Sequence, residues 1–481
     1  MNSNHQVKNI AFASVASIVK TVCQFLQVAI LVRFFLDPEQ FGLLAIATFV
    51  IAFSDLFLDM GLSVYIMYKH NISREQFSSL YWFGVIISII LVLILIIISP
   101  LISSFYDKEE LASIIPLLSA NLLFWAIGRN YRTLLEKEFR FKILAIVDTI
   151  VALVIFTIAI LLAWNDFGVW SVVIANVIGV FIQNIVYLVK GFRILPLCFN
   201  LKYFEVREFL SIGLYQFAAK LLDFFSSQSD ILIVGKLLGL EVLGVYNIVR
   251  QIIYSLGGFL NNGFNAVMPP IFVKAHKDEV LLRESFFSYL GNIILINTIC
   301  FVGLAFSSET ALWVVYGSEF VIGGWLLTCL ACMYAINTIG NPVSALIICK
   351  GRTDIAMYWT VYRLAISLVA LFLGASYSIE GVALALFAVA LFNIYPYYRF
   401  VYSKMQKSVG FNNYFIAIRP VVVSSILIVS VKYFLRLSGT IDEFLYITIF
   451  MVFLLIYLYF ESRVFRDIVK RLMARCLVSN N

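Results

Sequence analysis

The stretch "VRFFLDPEQFGLL", Val32 to Leu44, decides how this chain folds. An arginine, an aspartate, a proline and a glutamate are crowded between two long apolar runs. Asp37-Pro38 can stop one helix, because proline lacks a backbone donor, and Glu39 suits the first turn of the next. Gly42 leaves room for close helix contact. A similar corner returns as "VGKLLGLEVLGVY", Val234 to Tyr246, at an offset of 202: Val32 falls on Val234, Leu36 on Leu238, Glu39 on Glu241 and Gly42 on Gly244. The same offset takes Gly61 to Gly263, and Ser14, Gln24 and Gln27 to Gln216, Ser226 and Ser229. It therefore aligns polar faces as well as turns.

The surroundings of the corner set the class of protein. Over 481 residues, 62% are hydrophobic and 13% charged, with a mean hydropathy of +0.96. Such a chain belongs in a bilayer, where each segment must satisfy its own backbone polar groups as a helix or in a closed barrel. Apolar runs of about twenty residues without alternation select helices. The expected fold is an all-α polytopic membrane protein with fourteen spans near 9–36, 41–68, 77–99, 112–133, 143–164, 169–190, 206–236, 241–268, 283–306, 320–349, 354–376, 380–403, 414–435 and 442–462. The first run is interrupted by Lys20, Gln24 and Gln27 and lacks a cleavage pattern, so it is expected to stay as a span. Seven cysteines sit mostly within spans, and Cys329-x-x-Cys332 reads as packing. No metal or other cofactor is expected.

Charge sets the orientation. With the N-terminus inside, the cytoplasmic side collects 26 of the 35 basic residues, among them Arg129, Arg132 and Lys137. The outer side holds five: Arg33, Lys108, Lys236, Lys432 and Arg436. This positive-inside bias places both termini in the cytoplasm and explains the net charge of +7 without a nucleic-acid partner.

Nine charges remain well inside predicted spans: Lys20, Lys220, Arg250 and Arg363, with Asp55, Asp59, Asp148, Asp223 and Asp230. A charge at mid-bilayer costs about 2.5–3.5 kcal/mol on insertion scales, so these residues should face a cavity or one another. Spacing gathers them on faces. The first span carries Ser14, Ser17, Lys20, Thr21, Gln24 and Gln27 at intervals of three and four; the seventh carries Gln216, Lys220, Asp223, Ser227 and Asp230. The second adds Asp55 and Asp59, and the eighth Asn247, Arg250, Gln251, Asn261, Asn262 and Asn265. One reading is a hydrophilic cleft; the other is ion pairs between helices, such as Lys220 with Asp223 or Lys20 with an aspartate of the second span.

A fainter echo pairs "LLEKEFRFKILAIVDTIVALV" from Leu134 with "IICKGRTDIAMYWTVYRLAISLV" from Ile347, at an offset of 213. Two six-span halves, 1–200 and 201–405, followed by a helix pair and basic tail over 406–481, account for both echoes. Six spans is an even number, so the halves are expected to be parallel repeats about an axis along the membrane normal, with a cleft lined by spans one, two, seven and eight. Rocking of the halves would open that cleft to alternate sides.

The corner "LVRFFLDPEQFGLLAIA" after a polar-faced first span, its echo "VGKLLGLEVLGVYNIVRQI", the "KEFRFK" loop and the final helix pair resemble Wzx-type polysaccharide flippases. These belong to the multidrug/oligosaccharidyl-lipid/polysaccharide exporter superfamily, which includes the MATE exporters. The stretch "YKHNISREQFSSLYWFGVIIS" resembles the branch serving capsule, exopolysaccharide or O-antigen units. The resemblance implies a non-enzymatic transporter of the bacterial inner membrane. Its implied cargo is undecaprenyl-pyrophosphate-linked oligosaccharide, moved to the outer leaflet by alternating access for surface polysaccharide, including lipopolysaccharide, biosynthesis. Polymerase and chain-length proteins of the same pathway are its implied partners. Lys20, Lys220, Arg250 and Arg363 would then hold pyrophosphate or acidic sugars, and Gln24, Gln27, Asn247, Gln251 and Asn265 would bond hydroxyls. Asp55, Asp59, Asp223 and Asp230 would bind a coupling proton or sodium, or balance the cations. A MATE-like exporter of small molecules shares the spans, and an integral-membrane polymerase shares the apolar composition. A polymerase, however, should carry a large outer loop with catalytic clusters, and His5, His70 and His276 all fall on the cytoplasmic side. No Walker A pattern is present, so the chain is not expected to hydrolyse ATP itself.

Overall fold

The computed structural model describes residues 3–69, 72–199, 203–275, 278–406 and 410–435, and all regular structure among them is helical. Ten of the helical segments are long and apolar enough to cross a membrane. The protein is thus a multi-pass membrane protein. The helices over the expected spans 9–36, 206–236 and 241–268 are not among these ten, and the expected span over 442–462 lies outside the described residues, so fourteen remains the expectation from sequence. By contact the chain forms two compact units, Met1–Gly244 and Val245–Asn481.

The first unit contains α1 (Ser3–Phe34), α2 (Pro38–Asp59), α3 (Leu62–Tyr68), α4 (Arg74–Tyr106), α5 (Leu111–Lys137), α6 (Phe141–Trp164), α7 (Val169–Phe192), α8 (Tyr203–Leu238) and the first residues of α9 (Leu240–Ala275). Helix α5 lies against α4 and α7, α6 against α1 and α7, and α2 against α5 and α8. The corner forms as its residue types dictate. Asp37 caps α2, its carboxylate accepting from the Gln40 amide at 2.9 Å, and Pro38 takes the first helical position, where no donor is needed. Glu39 pairs with Lys108 of the α4–α5 turn and holds that ammonium above its usual value.

Within this unit the two corners are seated on each other. A Cβ at Gly42 would stand 2.0 Å from the Leu240 carbonyl oxygen, and one at Gly244 would stand 1.7 Å from the Pro38 carbonyl oxygen. Under the 202-residue offset Pro38 corresponds to Leu240 and Gly42 to Gly244. Each corner therefore touches the other's first helical residue with its own glycine, a reciprocal contact with local two-fold symmetry.

The expected continuous span over 41–68 is in fact two helices. Met60 (φ 32°) and Gly61 (φ 87°) both enter the left-handed region and end α2 at Asp59, before α3 begins. Glycine meets that geometry without penalty, whereas methionine is held there by its surroundings. Lys137, the last residue of α5, closes the far end of α3 by donating to the carbonyls of Ile66 (2.8 Å) and Lys69. Helix α5 accordingly runs past the expected end at 133.

The second unit holds the rest of α9, then α10 (Glu279–Asn297), a π-helical turn (Thr298–Val302), α11 (Gly303–Phe306), α12 (Ser308–Tyr316) and a 3₁₀ turn (Ser318–Gly323). It continues with α13 (Gly324–Asn337), α14 (Gly340–Cys349), α15 (Thr353–Ala375), α16 (Ile379–Phe392), α17 (Ile394–Tyr397), a second π-helical turn (Tyr398–Tyr402), α18 (Ser403–Met405) and α19 (Phe411–Leu435). The span expected over 320–349 is divided between α13 and α14. The α5–α6 and α14–α15 turns are alike: Phe139 (φ 55°) and Gly351 (φ 63°) are left-handed, and the amides of Arg140 and Arg352 reach back to Leu135 and Ile347 carbonyls at 2.9 and 3.1 Å. Their backbones align at an offset of 212, one less than the side chains suggested.

Candidate functional site

The intramembrane charges of the first unit fall into a connected series. At the end of α2, the Asp59 carboxylate accepts from Lys220 Nζ of α8 and from Ser63 Oγ of α3 at 2.7 Å. One turn earlier, Asp55 Oδ1 accepts from Arg129 Nη2 of α5 at 2.5 Å. One turn along α5, Arg132 Nε donates to Glu136 at 3.1 Å, and its Nη2 lies 3.5 Å from Asp148 of α6. Asp148 also accepts from the Tyr187 hydroxyl and from Gln183 Nε2 at 2.6 Å, both on α7. The series thus runs from α7 and α6 through α5 and α2 to α8.

Aromatic rings back it. The Arg129 guanidinium lies 5.5 Å from the Trp125 ring centre and that of Arg132 5.7 Å from Tyr187. Between α2 and α8, Phe53 meets Phe224 and Phe225 at 5.9 and 5.7 Å, and Phe57 meets Phe217 at 5.0 Å. These tilted ring pairs pack α2 against α8 on either side of the turn that carries Asp59 and Lys220.

Of the residues expected from sequence, the structure brings Asp55, Asp59 and Lys220 together. Lys220 turns to Asp59, and the expected pairings with Asp223 one turn away and between Lys20 and α2 do not form among the described residues. Long-range packing of α2 on α8 overrides the local spacing. Asp223 is exposed, and Asp230 accepts from the Ile231 amide at 3.0 Å. On α1, Lys20 is half-buried, Gln24 exposed and Gln27 buried. On α9, Asn247 and Gln251 are half-buried, while buried Arg250 lies 5.1 Å from the Tyr254 ring centre. Asn265 has no described side chain. Arg363 is exposed on α15, within electrostatic reach of Tyr397. Asn261 exchanges amide hydrogen bonds with Asn297 of α10 at 3.2 and 3.0 Å, so this part of the α9 polar face joins helices.

Residues 30–322 match the family described as polysaccharide biosynthesis protein. The chain belongs to this polysaccharide biosynthesis protein family. Among curated relatives, the teichuronic acid biosynthesis protein TuaB of Bacillus subtilis (strain 168) is 26% identical over 72% of this chain and 72% of its own. The lipopolysaccharide biosynthesis protein WzxC of Escherichia coli (strain K12) is 24% identical over 86% and 81%. The succinoglycan biosynthesis transport protein ExoT of Rhizobium meliloti (strain 1021) is 22% identical over 91% and 88%. Among solved structures, the lipid II flippase MurJ in an inward closed conformation shares the fold with a TM-score of 0.74 at 16% identity, over 96% of this chain and all of that one. A multidrug resistance MATE family transporter in an inward-facing conformation follows at 0.62 and 14%, over 84% and 100%.

Three functional candidates of this polysaccharide biosynthesis protein do not stand out from sequence. Arg129 and Arg132 count there as cytoplasmic charges at the end of the expected span over 112–133, yet α5 continues past them to Lys137 and both pair with aspartates of other helices. The signal was their i, i+3 spacing with Trp125 one turn before, which marks a helical face. Lys432 counts from sequence as an outer-side charge, yet its side chain is 4% exposed within α19; it donates to Ser308 Oγ at 2.8 Å and lies 3.9 Å from Glu309. Ser308 in turn lies 2.9 Å from Thr328 Oγ1. A polar pocket at the start of α12 explains why this lysine turns inward.

Proposed function

We propose that this protein flips undecaprenyl-pyrophosphate-linked oligosaccharide repeat units from the cytoplasmic to the outer leaflet by alternating access, in the service of surface polysaccharide synthesis. The observation that carries the reading is the Asp59–Lys220 and Asp55–Arg129 series, cations set inside an apolar helical unit of a polysaccharide biosynthesis family member. A sugar hydroxyl stripped of water without replacement costs about 2–7 kcal/mol and an isolated charge far more, so a lipid-linked diphosphate crosses a bare bilayer extremely slowly. Polar side chains at depth supply substitute partners.

In this reading Lys220, with Lys20, Arg250 and Arg363, holds the anionic head, and Gln24, Gln27, Asn247, Gln251 and Asn265 bond sugar hydroxyls. Asp55 and Asp59, with Asp223 and Asp230, carry a coupling ion or balance the cations. The protein acts in the bacterial inner membrane with both termini cytoplasmic, as a transporter and not an enzyme. Its energy comes from an ion gradient or from consumption of the glycan by polymerase and chain-length partners. The names of TuaB, WzxC, ExoT and MurJ support this reading. Its test is deletion of the gene followed by leaflet-resolved analysis of lipid-linked sugars: single units trapped on the cytoplasmic leaflet are expected. Single units accumulating on the outer leaflet would overturn it in favour of a polymerase.

A further inference from the structure

We infer that Arg129 and Arg132 of α5 form a diphosphate-binding step that is occupied by carboxylates until the ligand arrives. The inference rests on the flippase reading for the identity of its ligand, the anionic head of a lipid diphosphate, and on the geometry of the first unit for everything else.

Residues three apart on a helix stand one above the other with Cβ atoms about 5–6 Å apart, so the two guanidinium groups can address the two phosphates of one diphosphate. Each is reachable, with 22% of the Arg129 side chain and 39% of that of Arg132 exposed. Each is also pre-oriented, one against Trp125 and the other against Tyr187. A guanidinium offers five N–H donors in a planar fork, while Arg129 meets Asp55 through Nη2 alone and Arg132 meets Asp148 at 3.5 Å. These are contacts that an incoming phosphate can exchange at small net cost, since one anion replaces another and neither arginine is stripped bare.

The neighbouring acids make the exchange reversible. Asp148 retains the Tyr187 hydroxyl and the Gln183 amide when Arg132 swings away, and Asp59 retains Lys220 and Ser63 one turn from Asp55. Apolar residues would join α2, α5 and α6 at lower cost than partly buried ion pairs do. Lys220 of α8, held by Asp59 one turn of α2 beyond Asp55, is the next cation in the series. The head is therefore handed from the two arginines to Lys220, each cation returning to its own carboxylate.

The full-length protein in lipid nanodiscs, titrated calorimetrically with inorganic pyrophosphate and separately with orthophosphate, provides the test. Pyrophosphate is expected to be preferred, and Arg129→Gln or Arg132→Gln to weaken it about tenfold while reducing the preference over orthophosphate, the loss of one charge-assisted bidentate contact. Asp55→Asn with Arg129→Gln removes both charges of one pair and guards against misfolding. That variant is expected to unfold near the wild-type temperature while binding pyrophosphate as weakly as the single arginine variant. Wild-type affinity in either arginine variant, or affinity restored together with stability in the double variant, would overturn the inference. Leaflet-resolved sugar analysis separates the two readings: pyrophosphate binding lost in the arginine variants of a protein that fails to flip lipid-linked sugars sinks the flippase reading alone. Intact flipping by the Arg129→Gln, Arg132→Gln protein sinks the diphosphate step alone.

Discussion

Lys220 shows how a single side chain can serve stability and transport differently. Its ammonium meets an Asp59 carboxylate that is only 11% exposed, while its own side chain is 40% exposed. Lys220→Gln strands that carboxylate and should cost about 2 kcal/mol, less than the 3–5 kcal/mol of a fully buried pair because water reaches the lysine side. The paired change Asp59→Asn, Lys220→Gln should recover most of the thermal midpoint in detergent yet leave export of lipid-linked sugar impaired. Recovery of both would reduce the pair to a staple. Gly42 and Gly244 are constrained differently, because backbone oxygens stand where a Cβ would go. Alanine at either position should force the helices apart and cost about 1–3 kcal/mol, read as a lower unfolding midpoint. Gly235→Ala, where a Cβ would meet only side chains, Leu243 at 3.0 Å, Ile46 at 3.2 Å and Tyr106 at 3.4 Å, should be tolerated far better.

At the scale of elements, the junction of α2 and α3 joins backbone geometry to the charge series. The left-handed pair Met60–Gly61 follows Asp59 directly, and Ser63 of α3 binds that same carboxylate. Gly61→Ala must hold φ 87° with a Cβ in place, at a cost of about 1–2 kcal/mol, and should shift α3 away from Asp59. Cysteine labelling at Ser63 in the otherwise cysteine-free protein would register that shift as faster modification; an unchanged rate would show that the break is not held by Gly61. Between α9 and α10, Asn261→Leu alone leaves the Asn297 amide buried without its partner and should cost about 1–3 kcal/mol. The double change Asn261→Leu, Asn297→Leu should regain much of that loss in thermal unfolding, because two apolar groups of similar shape satisfy each other.

For the whole molecule, orientation is the property most open to a direct check. Membrane-impermeant thiol reagents should reach a single cysteine placed at Lys108 from outside intact spheroplasts, and one placed at Arg140 only after permeabilisation. The reverse pattern would invert the topology. The path of the chain through the membrane was legible because about twenty apolar residues can cross a bilayer in few other ways, and because Asp-Pro and glycine mark the corners locally. The break after Asp59 was not legible: "DMGLSV" has the composition of an unbroken span, and only tertiary contacts hold Met60 left-handed. The site was partly legible. Asp55, Asp59 and Lys220 stood out as charges in apolar runs, whereas Arg129, Arg132 and Lys432 lie close enough to span ends to pass for loop residues. Pairing across helices depends on packing, which spacing along one helix does not report.

The reciprocal seating of the two corners bears on ancestry. A half-length chain with one such corner would meet a second copy of itself through the same glycine and the same carbonyl, closing as a two-fold dimer with nothing left over. Tandem duplication of that gene would place both corners in one polypeptide without needing a new interface. It would also leave each glycine answerable to the other copy's backbone, so the two corners could diverge freely in charge, as Asp37 and Gly239 have, but not in bulk at Gly42 and Gly244.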